Sequence, residues 1–81
     1  AIGALFACQR RGISVPNQIG IAGFHGHDIS SAIVPKLATV VTPRERMGQM
    51  AAEQLLARLS GQPIVDRVIS LPFTLEPGES L

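Results

Sequence analysis

The stretch Arg11-Gly12-Ile13-Ser14-Val15-Pro16-Asn17-Gln18-Ile19-Gly20-Ile21-Ala22-Gly23-Phe24 decides the fold of this chain. Gly12 suits the left-handed position just after a helix, and Pro16 fixes the connecting turn. The segment 19–24 places small residues between large apolar ones, a pattern typical of a strand covered on both faces. These signals predict a helix over residues 1–11 and a buried strand over 19–24.

The rest of the sequence continues the alternation of helix and strand. A short helical or irregular stretch is expected near 29–34, and a second apolar strand over 37–41. The alternating run 65–75 predicts a last strand, which Pro72 confines to the edge of a sheet or to partial pairing because proline donates no backbone hydrogen bond. Residues 76–80 are expected to form a frayed terminus. Such alternation predicts an α/β fold, a parallel sheet with flanking helices.

The helix after the second strand carries specific sequence signals at both ends. Thr42-Pro43-Arg44-Glu45 matches a capping box, with Thr42 as the cap and Pro43 as the first helical residue. Gly61 would end the helix. Its apolar stripe would consist of Met47, Ala51, Leu55 and Leu59, joined by Ala52 and Leu56.

Length, charge and cysteine content exclude several classes of protein. The 81 residues allow one domain at most, and the net charge of +1 gives no electrostatic case for nucleic-acid binding. Cys8 is the only cysteine, so it forms no internal disulfide, and we expect it in the core. No apolar stretch is long enough to span a bilayer. The sequence starts inside a helix pattern without Met or a cap, so we expect the C-terminal piece of a longer protein.

Three side chains are candidates for ligand binding on topology alone. If the two predicted strands run parallel, their carboxyl ends lie at the same edge of the sheet and face one crevice. This placement selects His25, Thr42 and Arg44. Arg44 lies in the first turn of a helix, where the dipole favours an anion and a guanidinium can bind a carboxylate with two hydrogen bonds. The alternative for Arg44 is a solvated surface arginine.

His25 and His27 raise the alternative of a metal site. On a strand this spacing puts both imidazoles on one face, as in the metal pairs of some hydrolases. Zinc needs three or four ligands, however, and only Asp28 is near in sequence. The competing interpretation is a polar loop with a helix cap. We therefore expect no metal and no cofactor. We also expect no catalysis, because the sequence has no nucleophile elbow and no phosphate-binding glycine motif.

Four pieces of the sequence, in order, resemble the lactose/galactose repressor family. They are Gly-x-x-Val-Pro-x-x-Ile-x-Ile-x-Gly-Phe (12–24), Gly-Phe-His-Gly-His-Asp (23–28), Pro-x-Leu-x-Thr-Val (35–40) and Val-Thr-Pro-Arg-Glu-Arg-Met-Gly (41–48). The second and fourth are most similar to the gluconate-operon repressor branch. The resemblance covers almost the whole chain.

The resemblance implies that residues 1–81 are the C-terminal part of a periplasmic-binding-protein-like (type I) effector domain. The helix-turn-helix and the N-terminal subdomain would lie outside this chain, so operator DNA would be bound only by the missing N-terminal domain. The expected function is effector sensing in a cytoplasmic, DNA-binding repressor of sugar or sugar-acid catabolism, with gluconate as an example ligand. We expect no membrane association.

The resemblance also implies roles for individual residues. The position of His25 usually holds an acidic or polar group that contacts the sugar. Pro43 and Arg44 stand at positions that line the family's pocket, with Thr42 just before them. The expected effector-binding residues are therefore His25, Thr42 and Arg44. A homodimer interface is expected through Ile2, Leu5, Ile29, Ile33 and Val34. Two alternatives stay open: a fragment of a periplasmic sugar-binding protein, and a fragment of a metal-dependent hydrolase using His25 and His27.

Overall fold

Helices and strands alternate along the chain in the predicted order. A computed structural model describes residues 1–81. The elements are α1 (Ile2–Arg10), β1 (Ala22–His25), α2 (Ile29–Ala32), β2 (Ala38–Val41), α3 (Arg44–Leu59) and β3 (Thr74–Glu76). No helix is both long and apolar enough to cross a lipid bilayer.

The chain divides into two units. The sheet unit consists of Ala1–Thr42 and Phe73–Leu81, and the helix unit consists of Pro43–Pro72. All three strands belong to the sheet unit, whereas α3 and the segment after it form the helix unit.

The three strands form a sheet in the order β1-β2-β3. β1 and β2 are parallel, with Ala22 opposite Ala38 and His25 opposite Val41, which confirms the predicted parallel pairing. β3 is antiparallel to β2, with Thr74 opposite Val41, so the sheet is mixed. The chain leaves the sheet at the carboxyl end of β2 and returns to the sheet at that same end, where β3 begins. β3 therefore runs in the opposite direction to β2.

The last predicted strand is much shorter than expected. Of the run 65–75, only Thr74 and Leu75 belong to β3, which ends at Glu76. Pro72 lies outside the strand, and β3 occupies the edge of the sheet as predicted.

The core of the sheet unit is small and aliphatic. Leu5, Ile21 and Leu37 form it, and the half-buried Ile2, Cys8, Val15 and Ile33 pack against it. Leu5 has 0% of its surface exposed. The prediction that Leu5 contributes to a dimer interface is therefore wrong, because α1 turns this side chain into the core.

The first strand is not covered on both faces. Ile21 is buried, but Phe24 is 60% exposed and Ile19 is 48% exposed. Since side chains alternate along a strand, Ile21 and Phe24 point to opposite faces of the sheet, and the core cluster lies on the face of Ile21. The predicted strand 19–24 overlaps β1 only at residues 22–24, and the sequence pattern also overestimated its burial.

Both long helices end as predicted, with a glycine in the left-handed conformation. The φ angle is 69° at Gly12 and 79° at Gly61. In each case the next residue donates its N–H to the carbonyl five positions earlier, at 2.9 Å after α1 and 3.0 Å after α3. This is the Schellman arrangement, which satisfies carbonyls that a helix end leaves free.

The predicted capping box at the start of α3 does not form. The N-cap residue is Pro43, with no side-chain hydrogen bond, and its carbonyl accepts the N–H of Met47 at 2.9 Å. Thr42 therefore lies one residue before the N-cap position that the prediction assigned to it. Asp28 occupies the N-cap of α2, also without a side-chain hydrogen bond.

The apolar stripe of α3 lines an open groove within the helix unit. Met47, Ala51 and Leu55 face this hollow of about 650 Å³ together with Ile64, Ile69 and Leu71. No residue of α3 is buried, and Leu56 and Leu59 are exposed. The helix unit therefore has no closed hydrophobic core around α3.

A buried hydroxyl near the C-terminus joins the two parallel strands. Ser80 is 0% exposed, its Oγ donates to the carbonyl of Ile21 at 2.6 Å, and it accepts the N–H of Ala38 at 2.8 Å. The carbonyl of Ser80 also accepts the N–H of Ile21 at 2.8 Å. The sequence suggested only a frayed terminus here, and this interpretation is wrong.

Replacing Ser80 by alanine is expected to destabilise the sheet unit by about 1–3 kcal/mol, because a buried N–H and a buried carbonyl lose their partner. The measurement is urea unfolding of the complete protein that carries this chain. Ser70→Ala, at an exposed position, is the control and should leave the midpoint unchanged. Equal midpoints for the two variants would contradict this role of Ser80.

Candidate ligand-binding site

His25 and Thr42 meet at the carboxyl edge of the parallel strands. His25 is the last residue of β1, and Thr42 directly follows β2. The Nδ1 atom of His25 lies 3.4 Å from the Thr42 Oγ1. The prediction that both residues share one sheet edge is confirmed, while their role in ligand binding stays a prediction.

The backbone of His25 is strained. Its φ angle is 79°, a left-handed conformation that costs a non-glycine residue about 1–3 kcal/mol. Such a conformation persists only where neighbouring groups hold it. The imidazole packs edge-on against the ring of Phe24, with centroids 4.7 Å apart, and lies 6.0 Å from the ring of His27.

The next residue, Gly26, lies directly against β2. Its N–H donates to the Thr39 Oγ1 at 3.2 Å, and Thr39 is 7% exposed. A Cβ at Gly26 would lie 2.7 Å from the Val41 Cγ2, and the φ angle of Gly26 is 58°. Any side chain here would force the loop away from the strand.

Thr39 is a residue of this site that the sequence analysis did not single out. The available signal was its hydroxyl within the otherwise apolar run 37–41. A buried hydroxyl in such a strand needs a hydrogen-bond partner, and here the partners are the Gly26 N–H and, at 3.4 Å, the Val40 carbonyl.

Arg44 is the first residue of α3 and belongs to the helix unit. It is exposed and follows Thr42 by two positions in the chain. Its position in the first helical turn agrees with the sequence analysis, and its part in ligand binding stays a prediction.

The loop after β1 has few metal-ligating groups. His27 and Asp28 are both exposed, and the structure contains no group of three or more His, Cys, Asp or Glu side chains that could hold a metal ion. His25 lies at the end of the strand with a left-handed backbone, so the regular alternation expected for His-x-His does not extend through it.

The sequence profile of the periplasmic binding protein-like domain matches residues 1–81, the entire chain. The chain belongs to the periplasmic binding protein-like domain family. The predicted α/β fold is that of a fragment of such a domain, with two parallel strands and flanking helices.

Relatives within this family are transcriptional regulators of the lactose-repressor type, which confirms the predicted resemblance. The HTH-type transcriptional regulator GntR of Escherichia coli K12 is 54% identical over all 81 residues, which cover 24% of that protein. The crystal structure of the transcription regulator GntR from Chromobacterium violaceum is 40% identical, with a TM-score of 0.89, over 99% of this chain and 30% of that one.

A third member is a sugar-binding transcriptional regulator of the LacI family from Escherichia coli, solved with phosphate. It is 32% identical, with a TM-score of 0.81, over 100% of this chain and 29% of that one. The chain thus spans about a quarter of the length of the curated relative it matches. These relatives are regulators and not enzymes, which removes support from the hydrolase alternative.

Gly26→Ala is expected to destabilise the protein that carries this chain by at least about 1–2 kcal/mol, because the left-handed backbone and the contact with Val41 both oppose a Cβ. Gly48→Ala is the matched control. Gly48 lies within α3 with nothing within 4 Å of its Cβ position, so alanine there should stabilise by roughly 0.5–1 kcal/mol.

Thermal unfolding of the two variants measures the difference. A Gly26→Ala protein as stable as the parent would mean that the loop does not lie against Val41 in solution.

Proposed function

We propose that this chain is part of the effector-sensing domain of a DNA-binding transcriptional repressor of sugar or sugar-acid catabolism. The effector would be a small ligand such as gluconate. Operator DNA would be bound by a part of the protein outside these residues, and the protein would act in the cytoplasm.

The observation that carries this proposal is the pair of polar side chains at the carboxyl edge of two adjacent parallel strands. Ligands of open α/β sheets bind at this edge. His25 and Thr42 lie 3.4 Å apart there, close enough to contact neighbouring groups of one small polyol. The 54% identity to a regulator over the full chain supports the same function.

The chemistry of the proposed residues favours an acidic sugar. His25 can donate or accept a hydrogen bond but brings no fixed negative charge to the edge of the sheet. Arg44 adds a permanent positive charge in the first turn of α3, where the helix dipole also favours an anion. One relative is described as sugar-binding, which supports a sugar-like effector.

Repression would be controlled by differential affinity. An effector that binds one conformation of the complete domain more tightly shifts the population toward that conformation. If this conformation binds operator poorly, the effector and the DNA oppose each other by the same coupling free energy.

The complete protein should bind gluconate more tightly than glucose, because only gluconate offers a carboxylate to Arg44. Arg44→Ala should weaken gluconate binding by about 1.5–3 kcal/mol, or roughly 10- to 150-fold, which is the range for a lost charged hydrogen bond. Isothermal titration calorimetry with both sugars measures these affinities.

Arg46→Ala is the matched control, since Arg46 is also exposed in the first turns of α3 and is not one of the proposed ligand residues. It should keep the preference for gluconate. Tighter binding of glucose than of gluconate by the parent protein would contradict recognition of a carboxylate. Parental gluconate affinity in the Arg44→Ala protein would mean that Arg44 does not contribute to ligand binding.

The complete protein is also proposed to be a homodimer, through Ile2, Ile29, Ile33 and Val34. Ile29 and Val34 are exposed, at 45% and 80%. Such apolar side chains on one short segment are suited to a subunit interface.

Val34→Asp should therefore shift the protein toward monomer in sedimentation velocity. Val34 suits this test better than Ile33, which packs against the core. Val65→Asp, at an equally exposed valine of the helix unit, should leave the dimer intact. A dimer unchanged by Val34→Asp would place the interface elsewhere.

A further inference from the structure

We infer that Thr39 is a positioning residue that fixes the direction of the His25 side chain by holding the backbone turn after β1. This inference rests on the proposed ligand-binding role of His25. It concerns a buried side chain that is not itself proposed to touch the effector.

The distance from the Gly26 N–H to the Thr39 Oγ1 shows that the backbone turns at the end of β1. In the β1–β2 register Thr39 lies opposite Gly23, three positions before Gly26. Had β1 continued straight, Gly26 would lie about 10 Å along the sheet from that point, at roughly 3.3 Å per residue. Its N–H instead lies 3.2 Å from the Thr39 Oγ1. Since β1 stays in register with β2 as far as His25, the chain folds back toward β2 between His25 and Gly26.

His25 is the residue at which this reversal is made. Its φ angle of 79° turns the backbone, and this conformation is unfavourable for a residue with a Cβ. The hydrogen bond from Gly26 to Thr39 holds the far side of the turn, and the contact of Gly26 with Val41 limits its movement. The strained backbone is thus held by β2.

The direction of the His25 ring follows from this turn. The Nδ1 atom points to within 3.4 Å of the Thr42 Oγ1, and the ring packs edge-on against Phe24. If the Gly26 N–H were released, His25 could return to an extended backbone, and its ring would no longer be fixed beside Thr42. Ligand affinity would then fall although no ligand contact had been removed.

The test compares Thr39→Val, which keeps the shape and removes the acceptor, with Thr39→Ser, which keeps the hydroxyl. Both are made in the complete protein. Thr74→Val is the matched control, since Thr74 is exposed on β3. Hydrogen–deuterium exchange of peptides spanning 24–28 reports the turn without any ligand. Thr39→Val should speed this exchange by about tenfold, the loss of one hydrogen bond, whereas Thr39→Ser and Thr74→Val should not.

The second arm measures gluconate affinity by calorimetry. Thr39→Val should weaken binding about fivefold to tenfold, and Thr39→Ser should restore it. In a His25→Ala background Thr39→Val should change the affinity by less than about twofold, because its effect passes through His25. Peptides from 45–58 should exchange as in the parent protein, which excludes general destabilisation.

Each result decides one point. Unchanged exchange over 24–28 in Thr39→Val, or an equal loss of affinity with and without His25, would overturn the positioning role. A parent protein that does not bind gluconate would contradict the proposed ligand, and the exchange experiment would still decide whether Thr39 holds the turn.

Discussion

The hydroxyl of Ser80 hydrogen bonds to both parallel strands at the end of the sheet opposite His25 and Thr42. It donates to the Ile21 carbonyl and accepts the Ala38 N–H, so it fixes the relative position of the two strands where they begin. The register set there carries His25 to its place opposite Val41. A slip of one residue would displace His25 from Thr42 by about 3.3 Å, and the polar pair would be lost.

The two units are stabilised by different kinds of interaction. In the sheet unit the decisive hydrogen bonds join residues distant in sequence, such as Ile21 with Ser80 and Lys36 with Glu79. In the helix unit α3 has no buried residue, and the hydrogen bonds that end it are local. Local hydrogen bonds form without a large loss of chain entropy, whereas the long-range hydrogen bonds must offset the chain entropy that is lost when a long loop is closed. The geometry of the sheet edge therefore depends on the sheet unit's whole chain, including its last residues.

Local signals made much of this fold predictable. Gly12 and Gly61 end their helices because a left-handed residue is needed there, and the apolar run 37–41 contains β2. The shared edge of His25 and Thr42 followed from one topological rule about parallel strands. These predictions needed only residues close in sequence or one general property of sheets.

The predictions that failed depended on distant parts of the chain. Whether Thr42 caps α3 is decided by where the helix begins, and this shifted by one residue. The burial of Leu5 and the exposure of Phe24 depend on which face of β1 receives α1. Ser80 lies in a segment that reads as a frayed terminus, and its hydroxyl is buried only because the chain returns to the start of the sheet.

Thr39 was overlooked for the same reason. Its hydroxyl accepts a hydrogen bond from a turn that no local sequence pattern predicts, because the left-handed residue of that turn is a histidine where glycine would be the usual choice. A strained residue at a sheet edge, held by a buried hydroxyl from the neighbouring strand, is the arrangement expected where side-chain direction matters more than stability.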